Sequence, residues 1–252
     1  MANPFKKFKT EGVESSGDFV SGRTLLETDV YEAEVLFAYL GSAAHSEASS
    51  VNLILRVDNG SPKGFELRAQ EWVSNKKGEP FYIKDDKKRY LPGYETINDL
   101  TLLTIGKTLE DEDLEVDERI AKIWNNDSRK EENKAVDCFV DLHGEKILVA
   151  IQKVKEDKTK KNDSTGEYEP TGEFVENNKI VKFLDPETRR TKTEIENELE
   201  EAVFADTWLE KNRGVTRDAS KGSSKNGTGS GLPTKSDAPK ATNSIFNKNK
   251  NK

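Results

Sequence analysis

The residues best suited to chemistry lie close together between Trp72 and Tyr94. This segment holds six basic side chains, three acidic ones and five aromatic rings, although the whole chain of 252 residues has only twenty Trp, Tyr and Phe. Basic side chains neutralise phosphates, and exposed rings give unpaired bases a flat apolar surface for stacking. The segment therefore predicts a site for single-stranded nucleic acid. The alternative is a solvated hairpin whose aromatic side chains belong to the core.

Candidate contacts with nucleic acid follow from residue type. The basic candidates are Arg56, Arg68, Lys76, Lys77, Lys84, Lys87, Lys88 and Arg89, and the aromatic candidates are Trp72, Phe81, Tyr82, Tyr90 and Tyr94. Side chains alternate along a strand, so Trp72 is predicted beside Arg68 on the polar side of its strand. A second layer that covers Trp72 is an equal alternative. The chemistry predicted for a site of this kind is stoichiometric binding of nucleic acid without turnover.

Motifs for other chemistry find little support in the sequence. The two histidines, His45 and His143, and the one cysteine, Cys138, lack partners at zinc-ligand spacing. There is no glycine-rich loop ending in Gly-Lys-Ser/Thr and no Gly-x-Ser-x-Gly elbow. The acids at 110–118 lack the spacing of a calcium loop, so a solvated face is predicted. We expect no enzyme activity, cofactor or metal, with a carboxylate-only metal site and a Cys–His pair as open alternatives.

Charge is distributed unevenly along the chain. The net charge is −7, yet residues 219–252 carry seven lysines and one acid, which leaves −13 for residues 1–218. A body this acidic can bind a polyanion only through a local groove. No apolar run approaches the roughly 20 residues that span a bilayer, and the N-terminus lacks the apolar stretch of a signal peptide. Together with the lone cysteine, this predicts a protein of a reducing cytoplasm without a membrane partner.

Hydrophobic periodicity divides the chain into a flexible N-terminal arm (1–24), one folded domain (25–214) and a disordered basic tail (215–252). Strands are predicted at 30–40, 51–57, 65–73, 81–83, 119–124, 136–142, 147–154 and 174–184. In the first of these, Phe37 and Tyr39 share a face with Ala33 and Val35. The strands at 136–142 and 147–154 are predicted to form a hairpin, and 155–173 a long mobile loop. Helices are predicted over 96–106 and from a capping box at Thr193 and Glu196 to Gly214.

The order of these elements predicts a mainly β (α+β) fold. Short antiparallel strands with elaborated loops and extra helices suit a small Greek-key barrel, most simply an OB-fold. That fold binds oligonucleotides on one sheet face and through its loops. A β-sandwich fits the same order nearly as well.

Two runs in the middle of the chain resemble a known family. Lys88-Arg89-Tyr90-Leu91-Pro92-Gly93-Tyr94, followed by Asn-Asp-Leu-Thr-Leu-Leu-Thr-Ile-Gly-Lys at 98–107, is similar to a signature of single-stranded-DNA-binding proteins of tailed bacteriophages. The loop at 41–44, the strand at 50–57, the helix through Phe204 and Trp208 and a tail with Ser-Ile-Phe also fit. The similarity spans roughly 30 to 246.

The resemblance implies an OB-like core that coats single-stranded DNA without strong sequence preference. Its setting would be phage DNA replication, recombination and repair in the cytoplasm of the infected bacterial host. The hairpin and the residues from Tyr90 to Tyr94 would lie at or near the DNA groove. The tail departs from the family, because many members end in an acidic tail, whereas this one is basic.

Ile245 and Phe246 in this tail are candidates for docking on a replication, recombination or transcription protein of the phage or host. The runner-up function is accordingly a phage adaptor that engages a host replication or transcription enzyme.

Overall fold

The computed structural model describes residues 24–43, 45–125, 128, 130–161 and 168–220. Nearly all of the predicted N-terminal arm, and the tail with Ile245 and Phe246, lie outside these residues. The described strands are β1 Asp29–Ser42, β2 Ser49–Val57, β3 Phe65–Trp72, β4 Phe81–Lys84, β5 Lys87–Tyr90, β6 Val116–Asn125, β7 Lys130–Phe139, β8 Lys146–Lys161, β9 Tyr168–Leu184 and β10 Arg217–Asp218. The helices are α1 Pro92–Ile105, α2 Lys192–Glu196 and α3 Val203–Asn212, with a 3-10 turn at Val140–Leu142. The mainly β prediction is confirmed.

The principal sheet is mainly antiparallel. Its strands follow the order β9-β8-β1-β2-β3, and β10 joins β8 in parallel. The outer strands β3 and β9 border one gap of about 720 Å³, without a backbone ladder between them in the described residues. The predicted barrel is therefore an open sheet in this region.

The core lies on the inner face of this sheet and under α1. Alternate residues of β2 are buried there, and Ile97 and Leu100 of α1 pack against them. Burial of each such side chain contributes about 1.5–3 kcal/mol. The predicted helix begins four residues early, at Pro92, because proline suits the first helical turn. It ends as predicted at Gly106, whose φ of 70° terminates the helix.

A β-bulge reverses the alternation of β1. Val35 pairs with Leu55 and Phe37 with Ile54, so Leu36 is an extra residue opposite β2. The prediction that Phe37 and Tyr39 share the core face of Val35 is therefore wrong, since a one-residue shift exchanges the faces. His143 Nδ1 lies 2.8 Å from the Leu36 carbonyl oxygen and fixes the bulge.

The second half of the chain pairs differently from the prediction. β7 pairs with β6 and, at Cys138, with Tyr39 of β1; β8 pairs with β1, β9 and β10. The predicted hairpin between 136–142 and 147–154 is wrong because a 3-10 turn redirects the chain. The loop predicted at 155–173 is wrong at both ends, since β8 extends to Lys161 and β9 begins at Tyr168. Residues 162–167 lie outside the described part of the chain. Both faces of that extension are polar, so its sequence lacks the apolar alternation of a strand.

The predicted C-terminal helix is two helices. Thr191 and Glu194, rather than Thr193 and Glu196, form the capping box of α2. The Glu194 carboxylate accepts hydrogen bonds from the backbone N–H of Thr191 at 2.8 Å and of Phe204 at 2.6 Å. One buried carboxylate thus starts α2 and holds the beginning of α3. Beyond α3 the chain continues into β10, although the tail was predicted from 215.

None of the described helices is both long and apolar enough to cross a membrane.

Candidate nucleic-acid interface

The segment from Phe81 to Tyr90, here called the basic hairpin, is a two-stranded ladder. Asp85 and Asp86 form its tight turn with φ of 52° and 57°, a conformation that the short Asp side chain tolerates. The charged turn predicted at 85–88 is therefore shorter, and β5 begins at Lys87. Phe81 pairs with Tyr90, Tyr82 with Arg89, Ile83 with Lys88, and Lys84 with Lys87. This register separates the predicted site residues into two faces.

One face of the basic hairpin is anchored to the domain. The rings of Tyr90 and Tyr94 stack with centroids 4.7 Å apart and an interplanar angle of 13°. Tyr94 is buried, and its hydroxyl donates to Glu110 Oε1 at 2.8 Å. Burial, followed by this hydrogen bond, raises the pKa of Tyr94. Tyr94 therefore supports Tyr90, and it is Tyr90 that carries the exposed ring.

The other face of the basic hairpin combines free cations with an aromatic ring. It carries Lys84, Lys87 and Arg89 beside Tyr82, whose side chain is 39% exposed. None of these three cations pairs with a carboxylate in the part of the chain that the structure describes. Lys88, on the anchored face, lies 4.2 Å from the centroid of the Phe81 ring. Cations without a protein partner next to an exposed ring can meet phosphate and base together.

Gly93 fixes the hairpin to the main sheet. A Cβ atom at this position would lie 2.4 Å from the carbonyl oxygen of Trp72 and 2.8 Å from its nitrogen. Only glycine permits so close an approach of backbone to backbone. The Leu91 N–H also donates to the Pro80 carbonyl at 2.8 Å and closes the base of the hairpin. The sequence Leu-Pro-Gly-Tyr therefore places the hairpin directly beside the end of β3.

The outer face of β1, β2 and β3 continues the surface away from the hairpin. Cross-strand partners on this face form the rows Phe37–Ile54–Arg68, Tyr39–Asn52–Gln70 and Gly41–Ser50–Trp72. Trp72 is 43% exposed, so the described residues do not supply the covering layer that was the alternative to a stacking role. Arg68 lies on the same face and pairs with Glu66 at 2.8 Å.

The hairpin of β6 and β7, here called the arm (Val116–Phe139), rises next to this outer face. It borders a groove of about 640 Å³, here called the arm groove. The groove is lined on the sheet side by Tyr39, Asn52, Arg68 and Gln70, among others, and on the arm side by Lys122, Trp124, Lys134 and Asp137, among others. Sequence reasoning missed Phe37, Tyr39, Lys122, Trp124 and Lys134. The apolar alternation of β1 concealed the first two, and no short-range pattern marked the others.

The remaining predicted contacts lie apart. Arg56 is at the opposite end of the outer face from Trp72 and pairs with the Glu34 carboxylate. Lys76 and Lys77 are exposed in the loop before β4, where the Lys77 N–H donates to Asn75 Oδ1 at 2.8 Å. The structure therefore brings together the basic hairpin, Trp72 and Arg68, and leaves Arg56 outside this group.

The groups considered for other chemistry are distributed as follows. Cys138 is buried, and burial raises the pKa of its thiol. Asp141, which follows it closely, is held in an ion pair with Lys107 at 2.8 Å. In the described residues no group of three His, Cys, Asp or Glu is arranged to hold a metal ion.

No protein-family model matches this chain significantly, and neither does any curated protein or solved structure.

Proposed function

We propose that this protein binds single-stranded DNA stoichiometrically, with the basic hairpin and the outer face of β3 as its contact surface. The observation that carries the proposal is the free cationic face of the hairpin beside exposed rings. Lys84, Lys87 and Arg89 have no carboxylate partner in the described residues, and the exposed Tyr82 lies on the same face. Trp72 is exposed at the end of β3, where its backbone lies against Gly93. Phosphates would meet the cations while bases stack on the rings.

The strand arrangement supports an OB-like interpretation. Three meandering strands are followed by a helix, and the β8–β9 hairpin then returns beside β1. This is a Greek-key order, and OB-folds are partly open five-stranded barrels that use the face of the second and third strands. In such a unit, β2 and β3 present the surface that carries Arg68 and Trp72.

The setting proposed for this binding is the coating of single-stranded DNA during phage replication, recombination and repair, in the cytoplasm of an infected bacterium. Every base offers a stacking face, so sequence preference should be weak. Residues 1–218 carry a net charge of −13, which confines a polyanion to this local surface.

The direct test is fluorescence anisotropy with labelled oligo-dT and with a matched duplex at two salt concentrations. Tight binding to the single strand alone, weakening steeply as salt rises, is the expected result. Equal binding to the duplex would replace this proposal with a general polyanion binder. Absence of binding at low salt would refute it.

An adaptor that binds another protein is the second candidate, and exposed apolar side chains of β6 favour it. Ile120 and Trp124 share one face of β6 and are 78% and 54% exposed, which is unusual for large apolar side chains. An adaptor would bind its partner enzyme at salt concentrations that abolish binding to DNA. The anisotropy titration therefore separates the two functions before any partner is identified.

A further inference from the structure

We propose that the arm groove is a second segment of the single-strand site, with Tyr39 as a stacking platform and with Lys134 of the arm as a phosphate contact. This inference rests on the proposed function and extends it beyond the basic hairpin. The ligand class is a segment of single-stranded nucleic acid that leaves the hairpin across Trp72.

Continuity of the sheet face is the first observation. Trp72, Gln70 and Arg68 are alternate residues of β3, so their side chains follow one another on one face at intervals of about 7 Å. Gln70 and Arg68 line the arm groove. A strand stacked on Trp72 and extended along β3 therefore enters the groove without changing to another face of the protein.

The chemistry of the groove is the second observation. The bulge at Leu36 turns Tyr39 away from the core, and its half-buried ring lies beside Phe37 with centroids 5.5 Å apart. Asn52 stands next to Tyr39 in the same cross-strand row and makes no side-chain hydrogen bond in the described residues. An aromatic ring beside an unused amide suits a base, which offers both a flat face and polar edges.

The charge of the arm is the third observation. Lys134 is exposed, lines the groove and pairs with no carboxylate in the described part of the chain. Cys138 pairs with Tyr39, and Lys134 shares a face of β7 with Cys138, so Lys134 lies on the same side of the sheet as Tyr39. Asp137, the one carboxylate among the lining residues, is on the other face of β7. The groove volume of about 640 Å³ lies within the range of sites that hold a small ligand.

The base of the arm is fixed beside Tyr39. β7 meets β1 through the pair Cys138 and Tyr39, so the base of the arm is joined to the strand that presents the stacking ring. Tyr39 and Lys134 therefore lie on one side of the sheet, at opposite borders of the arm groove. A single strand in the groove can stack a base on Tyr39 while a phosphate contacts Lys134.

The test compares Lys134→Ala with a control of equal charge change, Lys63→Ala, which lies at the cleft near Arg56. Binding of the full chain to oligo-dT is measured over a series of lengths and salt concentrations. Removing one lysine that neutralises a phosphate of a single strand should reduce the salt slope by about 0.7. We expect this reduction, with roughly threefold weaker binding, only in the arm variant and only with oligonucleotides long enough to pass the hairpin.

An arm variant that matches the wild type at every length would overturn the inference, as would a control whose affinity falls by as much. Either result leaves binding by the wild-type chain and by the basic hairpin intact, so the proposed function would survive. Conversely, a wild-type chain that binds no oligonucleotide removes both. Both lysines are exposed, and equal thermal midpoints of the variants would exclude unfolding as the cause.

Discussion

The basic hairpin and the long hairpin of β8 and β9 are built from the same kinds of residue but differ in what their cations contact. Each has a lysine ammonium 4.2 Å from a phenylalanine ring, Lys88 over Phe81 and Lys155 over Phe174. In β8 and β9 the neighbouring lysines pair with carboxylates, as Lys158 does with Glu173 at 2.7 Å. Further pairs there join Lys153 to Glu27 and Glu176, Lys155 to Asp218, and Lys179 to Glu156.

This difference shows that lysines and aromatic rings in a hairpin do not by themselves make a site for a polyanion. A lysine already paired with a carboxylate must lose that partner before it can bind a phosphate. The free face of the basic hairpin needs no such exchange. The comparison therefore predicts which hairpin binds DNA, and each change below tests one part of it.

The largest effect is expected from Lys84→Ala/Lys87→Ala/Arg89→Ala. Removal of three side chains that neutralise phosphates should reduce the salt slope for oligo-dT by about 2 and weaken binding roughly a hundredfold at low salt. The matched variant is Lys155→Ala/Lys158→Ala/Lys179→Ala in β8 and β9, which removes the same charge from paired lysines. Anisotropy titrations of both variants decide the comparison. Similar decreases in affinity for the two would mean that overall charge, and not free cations, governs binding.

Trp72→Ala should weaken oligo-dT binding by about 1–3 kcal/mol, because one stacked base loses its platform. Phe174→Ala removes a ring that is 52% exposed on the other hairpin and should leave binding unchanged. The free energy of unfolding in urea is measured in parallel. If Trp72→Ala lowers only that free energy and spares affinity, Trp72 has a structural role and no part in binding.

Gly93→Ala should lower the free energy of unfolding by about 1–3 kcal/mol, since the new methyl group overlaps the Trp72 backbone and the helix must move. Gly172→Ala in β9 meets open space and bears only the strain of a φ of 82°, about 1 kcal/mol. Urea denaturation measures both. A Gly93→Ala variant as stable as the wild type would show that the close approach at Trp72 is relaxed in solution.

The smallest effect concerns pH. The hydrogen bond and charge of Lys158 lower the pKa of the Glu173 carboxyl below its ordinary value of 4.5. A lowered carboxyl pKa stabilises the folded chain above pH 4.5, and this contribution is lost as the pH falls through the folded-state pKa. In an NMR titration, Glu173 should titrate below 4.5 in the wild type and closer to 4.5 in Lys158→Met. Identical titration in the two proteins would mean that this pair does not persist in solution.

Much of the fold could be predicted from periodicity, and the failures have identifiable causes. The strands β2 and β3 and the helix ending at Gly106 follow patterns that are local, since apolar spacing and a left-handed glycine act within a few residues. The β8–β9 extension failed because its two polar faces carry no alternation. The division between α2 and α3 failed because it depends on Glu194 bonding to Phe204, ten residues away.

The candidate site shows the same division. Residue type and spacing were sufficient to select the basic hairpin, Trp72 and Arg68. The exposed tyrosine, Tyr90, and the buried one, Tyr94, could not be told apart, because that depends on packing against Glu110 and the end of β3. Lys134 could not be assigned to the site, because only pairing between distant strands brings the arm to β1.

The mainly β class, the helix end at Gly106, and the concentration of cations and rings between Trp72 and Tyr94 could all be read from the order of the residues. These properties follow from composition and from steric rules that act over short stretches. Tertiary structure alone decided which cations lack carboxylate partners and on which side of β1 Tyr39 lies. Ion pairs and strand register join residues far apart in the chain, and a one-residue bulge at Leu36 is enough to exchange the faces of a strand.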